Sequence, residues 1–493
     1  MSVVNEFAGL VGAEFQAWLR QMERLGGCAA PVYLTGHTLT RDARTGELLH
    51  VFTSASQPYG RFAVGCRNRR ELVCLPCSYL HKGDTYQIVV SGLVGGKGVP
   101  GEVASHPRVF ATLTAPSFGA VHRASDPGDP VARCRVRRGG GGCAHGVPVS
   151  CGARHEVRDP QVGSPLCAKC YDYAGAVLWN ASVGHLWRRV IVGMPRALAK
   201  LAGIRVRDLR AHARISFTKV TEYQHRGSVH LHAVIRVDGP GGPDDPAPSW
   251  ASAGLLGEAV AAAVAAARVT VPEPETAIAG HGARGRVVVF GSQLDVQQIR
   301  AGTGLDGLSD TAVAAYVAKY VTKGDIGSLV LPNRLRSEGQ IETTPGLSMH
   351  ARRLMHAAWA LGGLNRYEHL KLRTWAHQVG FRGHILTKSR RYSTTYTALR
   401  AARSAFHRPE EVGAVATVTE SSWRLDRIGH TPGEAMFARG IAGKLQDARD
   451  AEHERARADR RARVGGWGNA TAGRASGADR DQSGAGHGAD GRP

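Results

Sequence analysis

Two stretches, ARISFTKV (213–220) and SVHLHAVIRV (228–237), constrain the fold of this chain more than any other part of it. Both read as strands. The segment between them is short and carries Arg226-Gly227, so the two strands read as a hairpin. A hairpin commits its sheet to antiparallel pairing, because a parallel pair needs a long crossover. RVFATLT (108–114), RVVVF (286–290) and a run near Val296 add further strands, interspersed with helical segments at 173–201 and 251–268. The fold class expected is therefore α+β with an antiparallel sheet flanked by helices, not a doubly wound parallel sheet.

The chain has 493 residues, enough for two to four domains. Residues 1–60 form a lead-in with one helix (AEFQAWLRQM) and a strand-like run near Val32. Residues 61–175 are a cysteine-rich region that also contains the strand 108–114, and 176–330 form the core. A mostly helical, basic region follows at 331–445, and 446–493 lack periodicity and read as a disordered tail.

Lysine and arginine outnumber acidic residues 63 to 41, a formal charge of +22. That surplus favours a polyanionic partner such as nucleic acid, although a high-arginine proteome produces the same bias. No apolar run reaches membrane-spanning length; the closest, 254–268, is alanine-rich and carries Glu258. The N-terminus lacks a basic segment followed by an apolar one, so a cytoplasmic protein is expected. In that compartment nine cysteines argue against a disulfide framework. Eight of them fall between Cys66 and Cys170, and the next 323 residues contain none, which points to metal.

His230 and His232 occupy alternate positions of a strand and so share one face. Glu222 lies eight residues before His230, across the turn, where it can add a carboxylate from the adjoining strand. Two imidazoles and a carboxylate suit Mg²⁺ or Mn²⁺ acting on phosphate, and also Zn²⁺; Gln224 and His225 are alternative third ligands. On its own, an H-x-H pair is as much at home on a solvated sheet face.

In AAYVAKYVTKGD (314–325), Tyr316 and Tyr320 stand four apart on one helical face, and Lys319 and Lys323 form an adjacent pair. Ser309 or Asp310 can cap the helix and Gly324 can end it. A phenol with a pKa near 10 is a weak nucleophile at neutral pH, so a neighbouring cation and a metal-polarised phosphate would both help it. Alone, such tyrosines more commonly pack against a sheet.

In the order FATLT, HLH, YVAKYVTK, these pieces resemble the three motifs of the HUH endonucleases, which nick single strands in rolling-circle replication, conjugation and transposition. The doubled tyrosine resembles the two-tyrosine initiator branch. GLVGGKGVPGEVASHPRVFATLTAPSFGAVH and LCAKCYDYAGAVLWN look most like the RepSA-type initiators of actinobacterial integrative plasmids, over roughly residues 60–390. The resemblance implies an HUH nickase core with its histidines on a central strand facing the tyrosine helix. It implies that Glu222, His230 and His232 hold Mg²⁺ or Mn²⁺, that Tyr316 and Tyr320 are nucleophiles, and that Lys319 and Lys323 contact phosphate or position the phenols. Single-stranded and duplex origin DNA, a host helicase and a DNA polymerase are the partners expected. The chain contains no Walker-type G-x-x-x-x-G-K-[ST], so unwinding falls to the host.

Cys74-x-x-Cys77 and Cys167-x-x-Cys170 are knuckles suited to structural Zn²⁺, with Cys66, Cys143 and Cys151 as further thiolates and His81, His145 and His155 nearby. One arrangement is a four-cysteine site from Cys143, Cys151, Cys167 and Cys170 plus a second site around Cys66, Cys74 and Cys77. The other joins the two knuckles into one ribbon. Cys28 and Cys134 are assigned no ligand role. The function expected is a replication initiator that nicks one origin strand through a 5′-phosphotyrosine. Its rivals are a rolling-circle transposase of the same chemistry and a non-catalytic, zinc-dependent DNA-binding regulator.

Overall fold

The computed structural model describes residues 12–125, 133–136, 141–273, 285–300, 308–322, 329–406 and 416–472. In chain order the strands are β1 (Val32–Asp42), β2 (Leu48–Thr53), β3 (Phe62–Val64), β4 (Arg108–Leu113), β5 (Arg214–Tyr223) and β6 (Val229–Asp238). There follow β7 (Val269–Val271), β8 (Arg286–Val288), β9 (Leu294–Arg300), β10 (Leu308–Ser309), β11 (Leu386–Lys388) and β12 (Thr417–Ile428). No helix among the described residues is long and apolar enough to cross a membrane.

The chain divides into two units. Met1–Leu39, Val51–Gly65 and Glu420–Pro493 make one; Thr40–His50 and Cys66–Thr419 make the other. In the first, helix Ala13–Arg24 buries Phe15, Trp18 and Met22 with Tyr33 and Ala63, and the sheet runs β12-β1-β2 with β3 on β1. β12 falls in a region expected to be mostly helical. Its β-branched start, Thr417-Val418-Thr419, favours extended backbone, and Trp423 Nε1 donates to Thr38 Oγ1 at 2.9 Å. Helix Pro432–Ala472 continues through the first part of the expected tail, where arginine, alanine and glutamate favour helix; residues 473–493 lie outside the described ones.

The second unit is built on a six-stranded sheet ordered β10-β9-β4-β6-β5-β11. All its pairings are antiparallel except that of the two-residue β10, as the hairpin requires. The turn is tight: Gln224 N donates to Ser228 O at 2.9 Å, and Gly227 adopts φ 77°, where an added Cβ would press on the Leu354 side chain. The two faces of the sheet differ. Val109, Ala111 and Leu113 of β4 and Leu231, Ala233 and Ile235 of β6 alternate onto one face and are fully buried. Helices Tyr173–Leu201 and Ala253–Ala266 cover that face. Buried Trp179, Val183, Leu186, Val190, Met194 and Leu198 recur at helical spacing, and Trp187 meets Phe217 edge-on at 5.3 Å. The opposite face carries Phe110, Thr112, His230, His232 and Glu222, together with Arg108 and Arg236. Helices Leu75–Val94 and Asp310–Thr322 lie on it, the latter capped by Ser309 Oγ, which accepts from Ala312 N at 3.3 Å.

Candidate functional site

The histidines sit on β6, a central strand, and the register places Glu222 of β5 directly opposite His230. Glu222 Oε2 lies 3.2 Å from His230 Nε2 and 3.0 Å from His232 Nε2. One carboxylate oxygen and two imidazole nitrogens thus converge within 4.8 Å of one another. Of the alternative ligands, Gln224 is turned to Arg226, whose Nε donates to it at 2.9 Å, and His225 is not in the set.

Burial raises the Glu222 carboxyl, but its hydrogen bonds with His230 and His232 outweigh this and hold it below the ordinary value. Burial lowers His232, and the adjacent His230 adds to the effect against the opposing pull of Glu222. Both shifts favour the metal-binding forms, an ionised carboxylate and a neutral imidazole. His230 Nδ1 is buried and makes no hydrogen bond within the described structure. This N,N,O set fits a divalent cation with positions left open.

Tyr316 comes to the same place. Its Oη lies 3.1 Å from His232 Nε2, and the rings meet edge-on at 4.9 Å. Phe110 stacks on His232 with centroids 5.7 Å apart and an interplanar angle of 4°, and meets Tyr316 edge-on at 5.7 Å. Thr112 Oγ1 lies 3.1 Å from His232 Nδ1, behind the ring. FATLT is therefore the wall of the site: Phe110 fixes the plane of His232, and Thr112 fixes its rotation. The tyrosine helix is anchored at its start, where buried Arg108 pairs with Asp310 at 3.2 Å, and near its end, where Arg69 Nη1 donates to Val321 O at 3.1 Å. Lys319 is exposed three residues after Tyr316. Tyr320 is one turn further along the helix backbone, and Lys323 and Gly324 lie outside the described residues.

Motif reading missed Asn180. Buried in the long helix, it donates through Nδ2 to Gly227 O (2.9 Å) and Val379 O (3.0 Å) and accepts from Val229 N at 3.0 Å. It holds the backbone immediately before His230. The only sequence signal for it was a polar residue amid the apolar stripe of that helix.

The cysteines fall into separate groups. Cys66, Cys74 and Cys77 are brought together, without Cys167 or Cys170. Cys143, Cys167 and Cys170 are joined by His145, whose Nδ1 lies 3.9, 3.8 and 3.2 Å from their respective Sγ atoms. Cys151 is not among them. It stands with His122, His155 and Cys134, and Cys134 is a residue to which the sequence assigned no ligand role. Spacing reveals local knuckles, whereas this partition depends on the backbone bridge Arg135↔Cys151, which sets Cys134 beside Cys151. Cys28 is buried in the other unit.

The fold and site together define an α+β protein that gathers two strand histidines, a facing carboxylate and a helical tyrosine on one sheet face. The chain belongs to the RepSA family, described as "Replication initiator protein, pSAM2", which it matches over residues 14–443. A curated relative, a replication initiator protein of Streptomyces ambofaciens, is 41% identical over 455 residues, covering 90% of this chain and 93% of the relative. No solved structure matches.

Proposed function

We propose that this replication initiator acts at a plasmid origin as an HUH-type nickase, cutting one strand by tyrosine transesterification. The observation that supports this most is the placement of Tyr316 Oη 3.1 Å from His232 Nε2, in the set completed by His230 and Glu222. Glu222, His230 and His232 would hold Mg²⁺ or Mn²⁺, which when bound supplies Lewis-acid polarisation of the scissile phosphate. The protein's own task is positioning. Phe110 and Thr112 fix His232, Asp310 and Arg108 fix the helix, and Tyr316 is thereby presented from a rigid element.

In the reaction the Tyr316 phenol loses its proton to solvent, a bond forms from Oη to phosphorus, and the bond from phosphorus to the 3′-oxygen breaks. That oxygen takes up a proton. The products are a 5′-phosphotyrosine and a 3′-OH that primes synthesis, with the phosphodiester energy conserved. Tyr320 serves the second transfer that ends the round, and Lys319 and Lys323 contact phosphate. The basic surplus engages single-stranded and duplex origin DNA; a host helicase and polymerase complete the process. Zn²⁺ is the structural ion proposed for the cysteine groups, with Cys66, Cys74 and Cys77 in one and Cys143, Cys167 and Cys170 in another.

The test is incubation with a single-stranded origin oligonucleotide and Mn²⁺, followed by denaturing electrophoresis. Wild type should form an SDS-stable adduct that Tyr316→Phe/Tyr320→Phe does not. No adduct from wild type, or as much from the double variant, overturns the proposal.

A further inference from the structure

The insertion that follows β4 contains a group of side chains that neither the nicking chemistry nor the C-x-x-C knuckles use. His122, Cys134, Cys151 and His155 place one ligand atom each within 4.8 Å of all the others. We propose that they form a second tetrahedral zinc centre within the insertion, N₂S₂, distinct from the one at Cys143, His145, Cys167 and Cys170.

The distances carry the argument. With zinc bonds of about 2.3 Å to sulfur and about 2.05 Å to nitrogen, tetrahedral geometry demands edges of about 3.3 Å between nitrogens and about 3.6 Å between sulfur and nitrogen. Here His122 Nδ1 to His155 Nε2 is 3.2 Å, Cys151 Sγ to His155 Nε2 is 3.5 Å, and Cys134 Sγ to His122 Nδ1 is 3.7 Å. Taken singly these are also hydrogen-bond distances, but the three edges together match the tetrahedron.

The outer contacts fit as well. Asp159 Oδ2 lies 2.7 Å from His155 Nδ1 and so accepts a hydrogen bond from its N–H, leaving the Nε2 lone pair directed into the centre. A carboxylate behind a ligating histidine is the usual outer partner of such sites. Arg123 N donates to Cys134 Sγ at 3.2 Å and so helps to orient the sulfur. Burial also agrees. On binding, both thiols release their protons to solvent, and two thiolates cancel the ion's charge. A neutral centre is the kind that tolerates burial, and His155 and Cys134 are 3% and 5% exposed. The Cys143 group would carry one net negative charge and is correspondingly more open, with His145 and Cys170 exposed.

The four ligands come from three segments of irregular backbone, joined by Cys134 N to Ala153 O (2.9 Å), Ser125 N to His155 O (2.8 Å) and the Arg135–Cys151 pair, while His122 N donates to Ser164 O at 2.9 Å. The ion would therefore staple together the segments at 122, 134 and 151–155 of the insertion. This inference does not depend on the nicking reaction.

Zinc per chain, measured by native mass spectrometry on full-length protein, provides the test. Cys134→Ser and Cys167→Ser should each hold one zinc fewer than wild type, and the double variant two fewer. A Cys134→Ser protein with the wild-type count overturns the proposal, as does a double variant that loses no more than either single. Where Cys134→Ser loses more than one zinc through collapse of the insertion, Asp159→Asn decides. It keeps all four ligands and the full zinc count, and it should surrender one zinc to a chelator about 10- to 100-fold more readily. An unchanged rate of loss refutes the centre.

Discussion

The sheet site and the cysteine-rich insertion both gather metal-binding side chains, but by opposite means. At the sheet, strand register does the gathering: Glu222 faces His230 and Thr112 faces His232 because β4, β5 and β6 are continuously paired. Fully buried apolar side chains lie beneath. In the insertion, ligands sit on irregular backbone with isolated bridges such as Arg135↔Cys151 and Gly142↔Pro148. One region is organised without an ion, so a cation there is free to serve chemistry. In the other, the proposed ion would be a principal cross-link, as in small zinc domains.

The sharpest way to break this contrast is Tyr316→Phe. A preorganised site predicts that adduct formation at this tyrosine falls at least about 10³-fold, with thermal stability within about 0.5 kcal/mol of wild type. A large loss of stability would mean that the phenol is a structural group. Peptide mapping of any residual adduct separates Tyr316 from Tyr320.

Next in size is the buried network that lets the sheet stand alone. Asp238 accepts from Arg236 Nε at 2.5 Å and Ser216 Oγ at 2.6 Å and lies 2.8 Å from His106 Nδ1. Asp238→Ala leaves Arg236 buried and unpaired and should cost about 3–5 kcal/mol in denaturant unfolding. Burial raises this carboxyl, but bonds to His106 and Arg236 outweigh that and depress it below 3.8. A depressed carboxylate contributes stability above its unfolded value that is lost as pH falls through the folded one. Wild type should therefore lose this contribution progressively as pH falls from the unfolded carboxylate value through the folded one, and Asp238→Ala should show a flatter acid limb.

A smaller effect is expected at Asn180, which ties the hairpin turn to the long helix. Asn180→Ala leaves buried backbone groups unpaired and should cost about 1–3 kcal/mol. Adduct formation should slow as well, because the strand start before His230 loosens. Smallest of all, Thr112→Val removes the group behind His232 and should weaken Mn²⁺ binding about tenfold, with little change in folding. A variant that binds Mn²⁺ as tightly as wild type would show that Phe110 stacking alone orients the ring.

What the sequence disclosed follows the same division. The helix at 173–201, the hairpin and the strand at 108–113 were legible because their periodicity reports burial directly. Glu222, His230 and Tyr316 were legible because period two and period 3.6 fix which face a residue takes. Phe110 and Thr112 were quoted within a motif but had no role, since only β4–β6 register brings them to His232. The cysteine partition was not legible, because His122 and Cys134 have no spacing signature and are matched through long-range backbone bridges. β12 was missed because its largely exposed strand lacks an apolar face.

The contrast is tested most directly by amide hydrogen exchange on full-length protein before and after complete chelation. The account predicts that amides of β4, β5 and β6 keep their protection while those of 121–125, 133–136 and 141–170 lose theirs. Loss of protection in both regions together, or in neither, would contradict it.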